Sequence, residues 1–421
     1  MNEMYSLTAV LKVRGFPEDR KTNMELNKDQ KRPMGIYLHI PFCVRKCNYC
    51  DFLSAPAGAE IRRQYVDRLK EEIIQFEDTD DYQVCSVFFG GGTPSILEPE
   101  EIAELMETIR EKFRLENVPD GKLPEITIEC NPGTLTAAKL NVYREWGINR
   151  LSLGLQSADD MELKLLGRIH TWEEFQKNFE QAREADFQNI NVDLMSALPG
   201  QNRASWERTL EKVLALKPEH ISAYSLIIEE GTPFYDAYRQ DARIREQGGI
   251  PRFLPSEEEE RAMYEDTDRI LGGAGFERYE ISNYARPGFC CIHNSGYWKR
   301  VEYAGFGLGA SSQLKRLRYK NTESLPDYLN GDFSKKEVLV LTKDDEIEET
   351  MYLGLRMMEG VDLEGFRRTF HVPAEVIYRK QLEKLGQQGL IRIEGGRLKL
   401  TNRGIDLSNQ VLAEFLLDEG M

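Results

Sequence analysis

Six short runs that read as β-strands recur along the first half of the chain: IYLHI (36–40), VCSVFFG (84–90), EITIEC (125–130), RLSLGLQ (150–156), NINVDLM (189–195) and HISAYSLI (220–227). Stretches of helical period separate them, among them IRRQYVDRLKEEIIQF and EEIAELMETIREKF. Strands that alternate with helices build a parallel sheet with helices on its outside. The polar and glycine-rich signals gather at the carboxyl ends of these strands. CVRKCNYC follows the first, GGGTPS (90–95) ends the second, Glu129 closes the third, Gln156 closes the fourth, and Asp193 lies in the fifth just before LMSALPGQ. An α/β barrel collects its chemistry at that one face. Six units are too few to close an eight-stranded barrel, so the expected fold is α/β, a partial (β/α)6 TIM-like barrel left open.

The remaining sequence divides by composition. Residues 239–262 are polar, with a Gly-Gly pair, two prolines and the run SEEEER, and are expected to form an exposed loop leading into a helix. Residues 345–421 read as a small C-terminal winged-helix-like α+β domain, because the helical runs EETMYLGLRMM and AEVIYRKQLEKLGQQG precede two strand-like pieces, LIRIEGG and RLKLT. The expected divisions are a flexible N-terminal extension (1–33), a core (34–270), a core extension with HNSGYW and a Gly-rich segment (271–344), and the C-terminal domain. The alternative to an extension is that the real start of the chain is Met24 or Met34. A chain of 421 residues, 41% of them apolar, can fill more than one core.

No stretch approaches the roughly 18 consecutive apolar residues of a membrane span, and no apolar segment follows a basic start as in a secretory signal. The expected compartment is the cytoplasm, which leaves peripheral membrane contact open. Against 55 basic residues stand 71 acidic ones, a formal charge of −16. That balance repels nucleic-acid phosphates. Winged helices often bind DNA, but here a structural or lid role is expected and no nucleic-acid partner.

Seven cysteines are too few for a disulfide scaffold, and three of them, Cys43, Cys47 and Cys50, fall within eight positions. In a reducing compartment such clustering reads as metal ligation. Three thiolates spaced CxxxCxxC on a loop after a strand can reach three corners of a [4Fe-4S] cubane. The fourth iron then stays open for an exchangeable ligand. The amine and carboxylate of S-adenosylmethionine can chelate it and place the sulfonium beside the cluster for one-electron reduction. The competing reading is a structural zinc site, which needs a fourth ligand; His39 is the nearest, but it lies on the preceding strand.

Gly90, Gly91 and Gly92 would let backbone amides approach a methionyl amine or carboxylate, with Thr93-Pro94 fixing the turn. The same motif alone would serve a tight strand-to-helix turn. Glu129 suits ribose hydroxyls or a cationic amine, and equally a solvated strand end. Arg168 can grip a carboxylate with two donors, while Gln156 and Asp193 suit hydroxyls or amines. Taken singly, each of these is more often structural.

The stretch YLHIPFCVRKCNYCDF (37–52) resembles the opening signature of the oxygen-independent coproporphyrinogen III oxidase family within the radical SAM superfamily. The resemblance continues through GGGTPS, ECNP (129–132), GLQS (154–157), LGRIHT (166–171), DLMSALPGQ (193–201), HNSGYW (293–298) and YAGFGLGASS (303–312), covering about residues 34–415. It implies a [4Fe-4S] cluster on Cys43, Cys47 and Cys50. It also implies S-adenosylmethionine contacts at Tyr37, Tyr49, Gly91, Gly92, Thr93, Glu129, Gln156, Arg168 and Asp193, some of which align with residues for a second such molecule.

Two departures select a branch. The oxidising enzymes resemble CxxxCxxCxC, whereas Phe52 stands here in place of the last cysteine. HNSGYW is similar to the HNxxYW of the haem chaperone (HemW-type) branch. In that setting the His293 imidazole suits an axial position on haem iron, with Tyr297 and Trp298 stacking on the macrocycle. An isolated histidine is more often hydrogen-bonded beside an aromatic core, and Cys290 and Cys291 are alternative iron ligands. The resemblance thus implies a cytoplasmic chaperone that binds haem and passes it to an unidentified acceptor protein. Cluster and S-adenosylmethionine would support haem binding, release or dimerisation, and no catalytic residue is assigned. The rivals are oxidative decarboxylation of coproporphyrinogen III and radical chemistry on an unrelated substrate.

Overall fold

The computed structural model describes residues 31–113, 115 and 123–417. All six expected strands are present: β1 (Arg32–Ile40), β2 (Tyr82–Gly91), β3 (Glu125–Cys130), β4 (Arg150–Gln156), β5 (Ile190–Ser196) and β6 (His220–Ser225). Each pairs in parallel with the next. Their near-continuous burial is that of a parallel sheet covered on both faces. The helices α1 (Ala59–Gln75), α2 (Pro99–Phe113), α3 (Ala137–Glu145), α4 (Asp160–Leu165), α5 (Trp172–Glu184) and α6 (Arg203–Ala215) return the chain between them. Leu69 and Ile73 of α1 and Ile102, Leu105 and Ile109 of α2 join the strand residues in one core. Local chemistry sets where these helices begin: the side chains of Thr136, Asp159, Thr171 and Asn202 accept from the first turns of α3 to α6.

The polar stretch after β6 is more ordered than expected. Helix α7 (Pro233–Glu246) and helix α8 (Glu257–Gly273) occupy most of it, leaving a short connection. Their signals were local ones that overall polarity masked: Thr232 caps α7 with Pro233 at its first position, and Ser256 and Glu259 form a capping box on α8.

The sheet also extends past six strands on both sides. β7 (Glu277–Arg278) and β8 (Asn283–Ala285) continue it beyond β6 in antiparallel sense. After α9 (Ile292–Trp298), β9 (Glu302–Phe306) adds in parallel to β1. β10 (Ser311–Leu314), β11 (Leu317–Lys320) and, after α10 (Leu325–Leu329), β12 (Lys336–Val340) extend that edge antiparallel. The order β12-β11-β10-β9-β1-β2-β3-β4-β5-β6-β8-β7 leaves the barrel open among the described residues.

A second core, with Met351, Phe366, Tyr378, Leu398 and Phe415, fills the C-terminal unit. It comprises α11 (Lys343–Gly354), β13 (Val361–Asp362), α12 (Leu363–Phe370), α13 (Ala374–Ile377), α14 (Arg379–Gln387), β14 (Ile391–Glu394), β15 (Arg397–Leu400), α15 (Asn402–Asp406) and α16 (Ser408–Ala413), with a small antiparallel sheet in the order β13-β15-β14. A bridge between Glu280 and Met357, and the Met358 N–H donating to the Tyr279 carbonyl at 2.9 Å, stitch this unit to the barrel. Buried Glu349 adds ion pairs to Arg300 (3.2 Å) and Arg318 (2.6 Å).

The expected extension falls outside the described residues up to position 30. From there Arg32 already opens β1 and pairs with Glu302 at 3.2 Å. No helix among the described residues is long and apolar enough to cross a membrane.

Candidate functional site

The carboxyl ends of β1 to β6 surround a cavity of about 230 Å³. Cys43, Cys47, Cys50, Tyr49, Gly91, Gly92, Thr93, Glu129, Gln156, Arg168 and Asp193 all line it. Eleven of the thirteen expected site residues therefore converge from five strand ends, although 150 positions separate the first from the last.

The cysteine loop is held from both sides. Phe42 bridges to Ala55, the Cys43 N–H donates to the Ala55 carbonyl (3.3 Å), and the Ala55 N–H donates to the Pro41 carbonyl (2.9 Å), closing the base of the loop. At its tip the Asn48 N–H and side-chain amide donate to the Leu166 and Leu165 carbonyls, both at 2.9 Å. The loop after α4 is thus the clamp for the cysteines. Gly92 lies so close that a Cβ there would stand 2.7 Å from the Phe42 carbonyl and 2.9 Å from Cys43 Sγ. Gly91 has φ +115°, a conformation that side chains other than glycine rarely take.

A polar chain ties these groups together. One Arg168 nitrogen donates to Asn131 Oδ1 (2.7 Å) and the other approaches Cys47 Sγ (3.6 Å). Asn131 Nδ2 donates in turn to Thr93 Oγ1 (2.7 Å), which reaches Cys43 Sγ (3.6 Å). Asn131 stands inside the ECNP motif, yet nothing in its residue type singled it out. Arg168 Nε is buried without a partner among the described residues. Gln156 holds φ +75°, uncommon for a non-glycine residue, where the β4–β5 register shifts.

Acids and bases both line the site, and burial shifts several of the acids. Burial, with repulsion from Asp193, pushes Glu129 up to about 8, and one N–H, from Gly91 at 3.1 Å, opposes it. Asp193 is also raised by burial, against bonds from Asn191 (2.8 Å) and Ser152 (3.0 Å). Burial carries the Cys50 thiol up to about 12, and Cys47 and Cys43 add to the shift. The two carboxyls and the Cys50 thiol resist ionisation here until positive charge arrives. Glu129 and Asp193 suit a cationic group, and Arg45, Lys46 and Arg168 line the same cavity. No group of three or more His, Cys, Asp or Glu side chains among the described residues is arranged around one ion, and His39 is already engaged by Tyr37 and the Leu53 carbonyl, both at 3.0 Å.

Two expected residues are set back from the cavity. Tyr37 stacks on Phe88 and on His293 at 6.3 Å, with its hydroxyl on His39. His293 is 4% exposed and uses both ring nitrogens, Nδ1 with Ser86 Oγ and Nε2 with the Tyr297 hydroxyl, each at 2.9 Å. Burial, with the charge of Arg150, holds its imidazole down to about 3. His293, expected as an iron ligand, does not line the cavity here, and both its ring nitrogens are already hydrogen-bonded. Cys290 and Cys291 do not line it either; Cys291 caps α9 and its thiol donates to Glu125 (3.4 Å). The residues of HNSGYW that do line the cavity are Asn294, Tyr297 and Trp298. Glu280 and Arg356, which no sequence signal marked, line it with them.

Residues 37–213 match the Radical SAM superfamily and residues 341–407 match the HemN C-terminal domain. The heme chaperone HemW of Lactococcus lactis is 38% identical over 92% of this chain and 99% of its own length. HemW of Bacillus subtilis is 35% identical over 90% and 98%, and HemW of Escherichia coli 32% over 92% and 99%. Among solved structures, the coproporphyrinogen III oxidase HemN of Escherichia coli, described as a radical SAM enzyme, superposes with a TM-score of 0.77 at 24% identity, covering 92% of this chain and 90% of that one. That likeness fixes the fold.

Proposed function

The chain belongs to the radical SAM superfamily and, within it, to the heme chaperone HemW family, and from that premise we propose that it binds haem and delivers it to an acceptor protein in the cytoplasm. One observation carries the reading beyond family membership: Tyr297 and Trp298 of HNSGYW line the same cavity as the three cysteines. A flat, largely apolar cargo gains from aromatic faces beside it.

The cysteines and strand-end residues of this cavity fit the cofactors that the superfamily implies. Cys43, Cys47 and Cys50 would hold a [4Fe-4S] cluster, and positive iron would relieve the upward pressure on Cys50. S-adenosylmethionine would supply a cationic sulfonium and amine. Glu129 and Asp193 favour such charge, Arg168 has a spare donor for its carboxylate, and Gly91, Gly92 and Thr93 leave room for its backbone-like end. Gln156 and Tyr49 close the same wall. When bound, the cluster would supply one electron and the sulfonium would accept it.

His293 takes a positioning part. Its Nε2 fixes the Tyr297 hydroxyl, and its ring fills the space above Gly35, where a Cβ would stand 3.4 Å from Nδ1. Phe52, at the place of a fourth cysteine in the oxidases, puts an inert ring on the cavity wall. The test is a Soret-band titration of the cluster-reconstituted protein beside an anaerobic assay with reductant, S-adenosylmethionine and coproporphyrinogen III. We expect saturable haem binding and no steady formation of protoporphyrinogen. Turnover without haem binding would replace the chaperone reading with the oxidase.

A further inference from the structure

One Arg168 nitrogen donates to Asn131 Oδ1 at 2.7 Å and to the Gly154 carbonyl at 2.5 Å. A guanidinium only donates, so the Asn131 atom that meets it must be the amide oxygen. The amide nitrogen is thereby turned to Thr93 Oγ1, 2.7 Å away. That nitrogen also only donates, so the Thr93 oxygen accepts. A hydroxyl carries one hydrogen, which is left to donate to Cys43 Sγ at 3.6 Å. The direction of every bond in the chain thus follows from the donor-only nature of Arg168. The other Arg168 nitrogen donates to Cys47 Sγ, also at 3.6 Å.

The fold holds Asn131 in this pose from behind. Its N–H donates to Ser95 Oγ (3.3 Å), and its carbonyl accepts from the Thr134 hydroxyl (2.7 Å) and N–H (3.1 Å). A Cβ at Gly154 would stand 2.9 Å from Asn131 Oδ1, so the glycine of GLQS clears the space for the amide. Thr93 is 2% exposed, which keeps water from competing for its hydrogen. GGGTPS, ECNP and LGRIHT therefore meet in one chain that ends on two cysteines of the triad, while Asn131 itself bonds to neither sulfur.

We propose that Asn131 is a positioning residue that raises the reduction potential of the cluster by directing the Thr93 hydroxyl onto Cys43 Sγ. The inference rests on the cluster reading and is independent of haem. Donors on cluster sulfurs stabilise the added negative charge of the reduced state, so each one raises the potential. Asn131→Asp keeps the shape and the contact with Arg168 but puts an acceptor where the amide nitrogen stood. The Thr93 hydrogen then turns to the new carboxylate and leaves the sulfur.

The experiment is a mediated redox titration of the cluster-reconstituted protein, in which dithionite passes one electron to each oxidised cluster and electron paramagnetic resonance reads the reduced form. Thr93→Val should make electron uptake about 3- to 10-fold less favourable, the size of one modest hydrogen bond, or about 30–60 mV more negative for a one-electron couple. Thr93→Ser, which keeps the hydroxyl, should titrate as wild type. Asn131→Asp should lower the potential at least as far as Thr93→Val, since it also adds charge. In the Asn131→Asp background Thr93→Val should shift nothing further, because the hydroxyl has already left Cys43. Asn131→Ala, which adds no charge, gives a second path to the same comparison, and there Thr93→Val should shift less than in wild type. An unshifted Thr93→Val potential overturns the proposal, and so do shifts that simply add in both double variants. Iron and sulfide content accompanies each titration, and loss of the cluster from both Asn131 variants makes the residue structural and overturns the proposal as well. Wild type that takes up no iron and sulfide overturns the cluster reading and the proposal with it.

Discussion

Two buried glutamates, one in the core and one at the cavity, show how this fold separates support from chemistry. Glu72 of α1 is pushed up to about 7 by burial, yet its carboxylate accepts from the Tyr328 hydroxyl (2.7 Å), the Gly307 N–H (2.9 Å) and the Asn321 amide (2.6 Å). Glu129 is pushed higher, to about 8, with a single backbone donor and a second acid beside it. The core acid is surrounded by donors that need it. The cavity acid is surrounded by a shortage that a bound cation would fill. A raised carboxyl alone does not mark a site; the count of its donors and the sign of its neighbours do.

The largest expected effect lies on the core side. Glu72→Ala strands three donors, each worth about 1–3 kcal/mol when left unmet, so we expect a loss of about 3 kcal/mol or more in chemical denaturation. The protein that still folds should bind S-adenosylmethionine as before. Glu129→Gln should do the reverse. Its ligand-free stability should hold or rise slightly, while S-adenosylmethionine affinity by calorimetry drops about 10- to 100-fold. A Glu129→Gln protein as unstable as Glu72→Ala would break the comparison.

Titration sharpens it further. Both carboxyls have folded values above their ordinary value of about 4.5, so each favours the fold in its protonated form. The stabilisation is complete below about 4.5 and is lost as pH rises through about 7 for Glu72 and about 8 for Glu129. Melting temperature of the cofactor-free protein should fall across that window. Glu72→Gln should remove the component near 7. S-adenosylmethionine should remove the component near 8 and release protons on binding, read as a dependence of binding heat on buffer ionisation enthalpy.

The smallest effect separates positioning from ligation at His293. His293→Ala and Tyr297→Phe interrupt the same 2.9 Å contact, so both should weaken haem binding by a similar factor, about 3- to 10-fold, the size of one modest hydrogen bond. Haem absorbance that loses a strong-field signature in His293→Ala and keeps it in Tyr297→Phe would restore histidine ligation.

The parts legible in the sequence share one property: they are local. The strands of the parallel sheet are apolar runs buried on both faces, so their hydrophobicity declares them without reference to partners. The three cysteines lie within one loop, and GGGTPS needs its glycines because backbone and thiol crowd at Gly92. The edge strands gave weaker signals. β7 spans two residues, Glu277–Arg278, and β11, LRYK, has two charges in four residues. Helix α7 was hidden because its polarity outweighed two capping residues.

The sequence by itself determined the sheet, the cysteine triad and the strand-end face on which chemistry collects, since period and spacing dictate those within one element at a time. Only the tertiary structure decided where His293 points and what meets Arg356. α9 turns His293 inward onto Ser86 and Tyr297, and a bridge between residues 280 and 357 delivers Arg356 to Trp298. Those outcomes depend on contacts between segments far apart in the chain, and a side chain's direction within such a contact is set by the neighbours that remain, not by its own type.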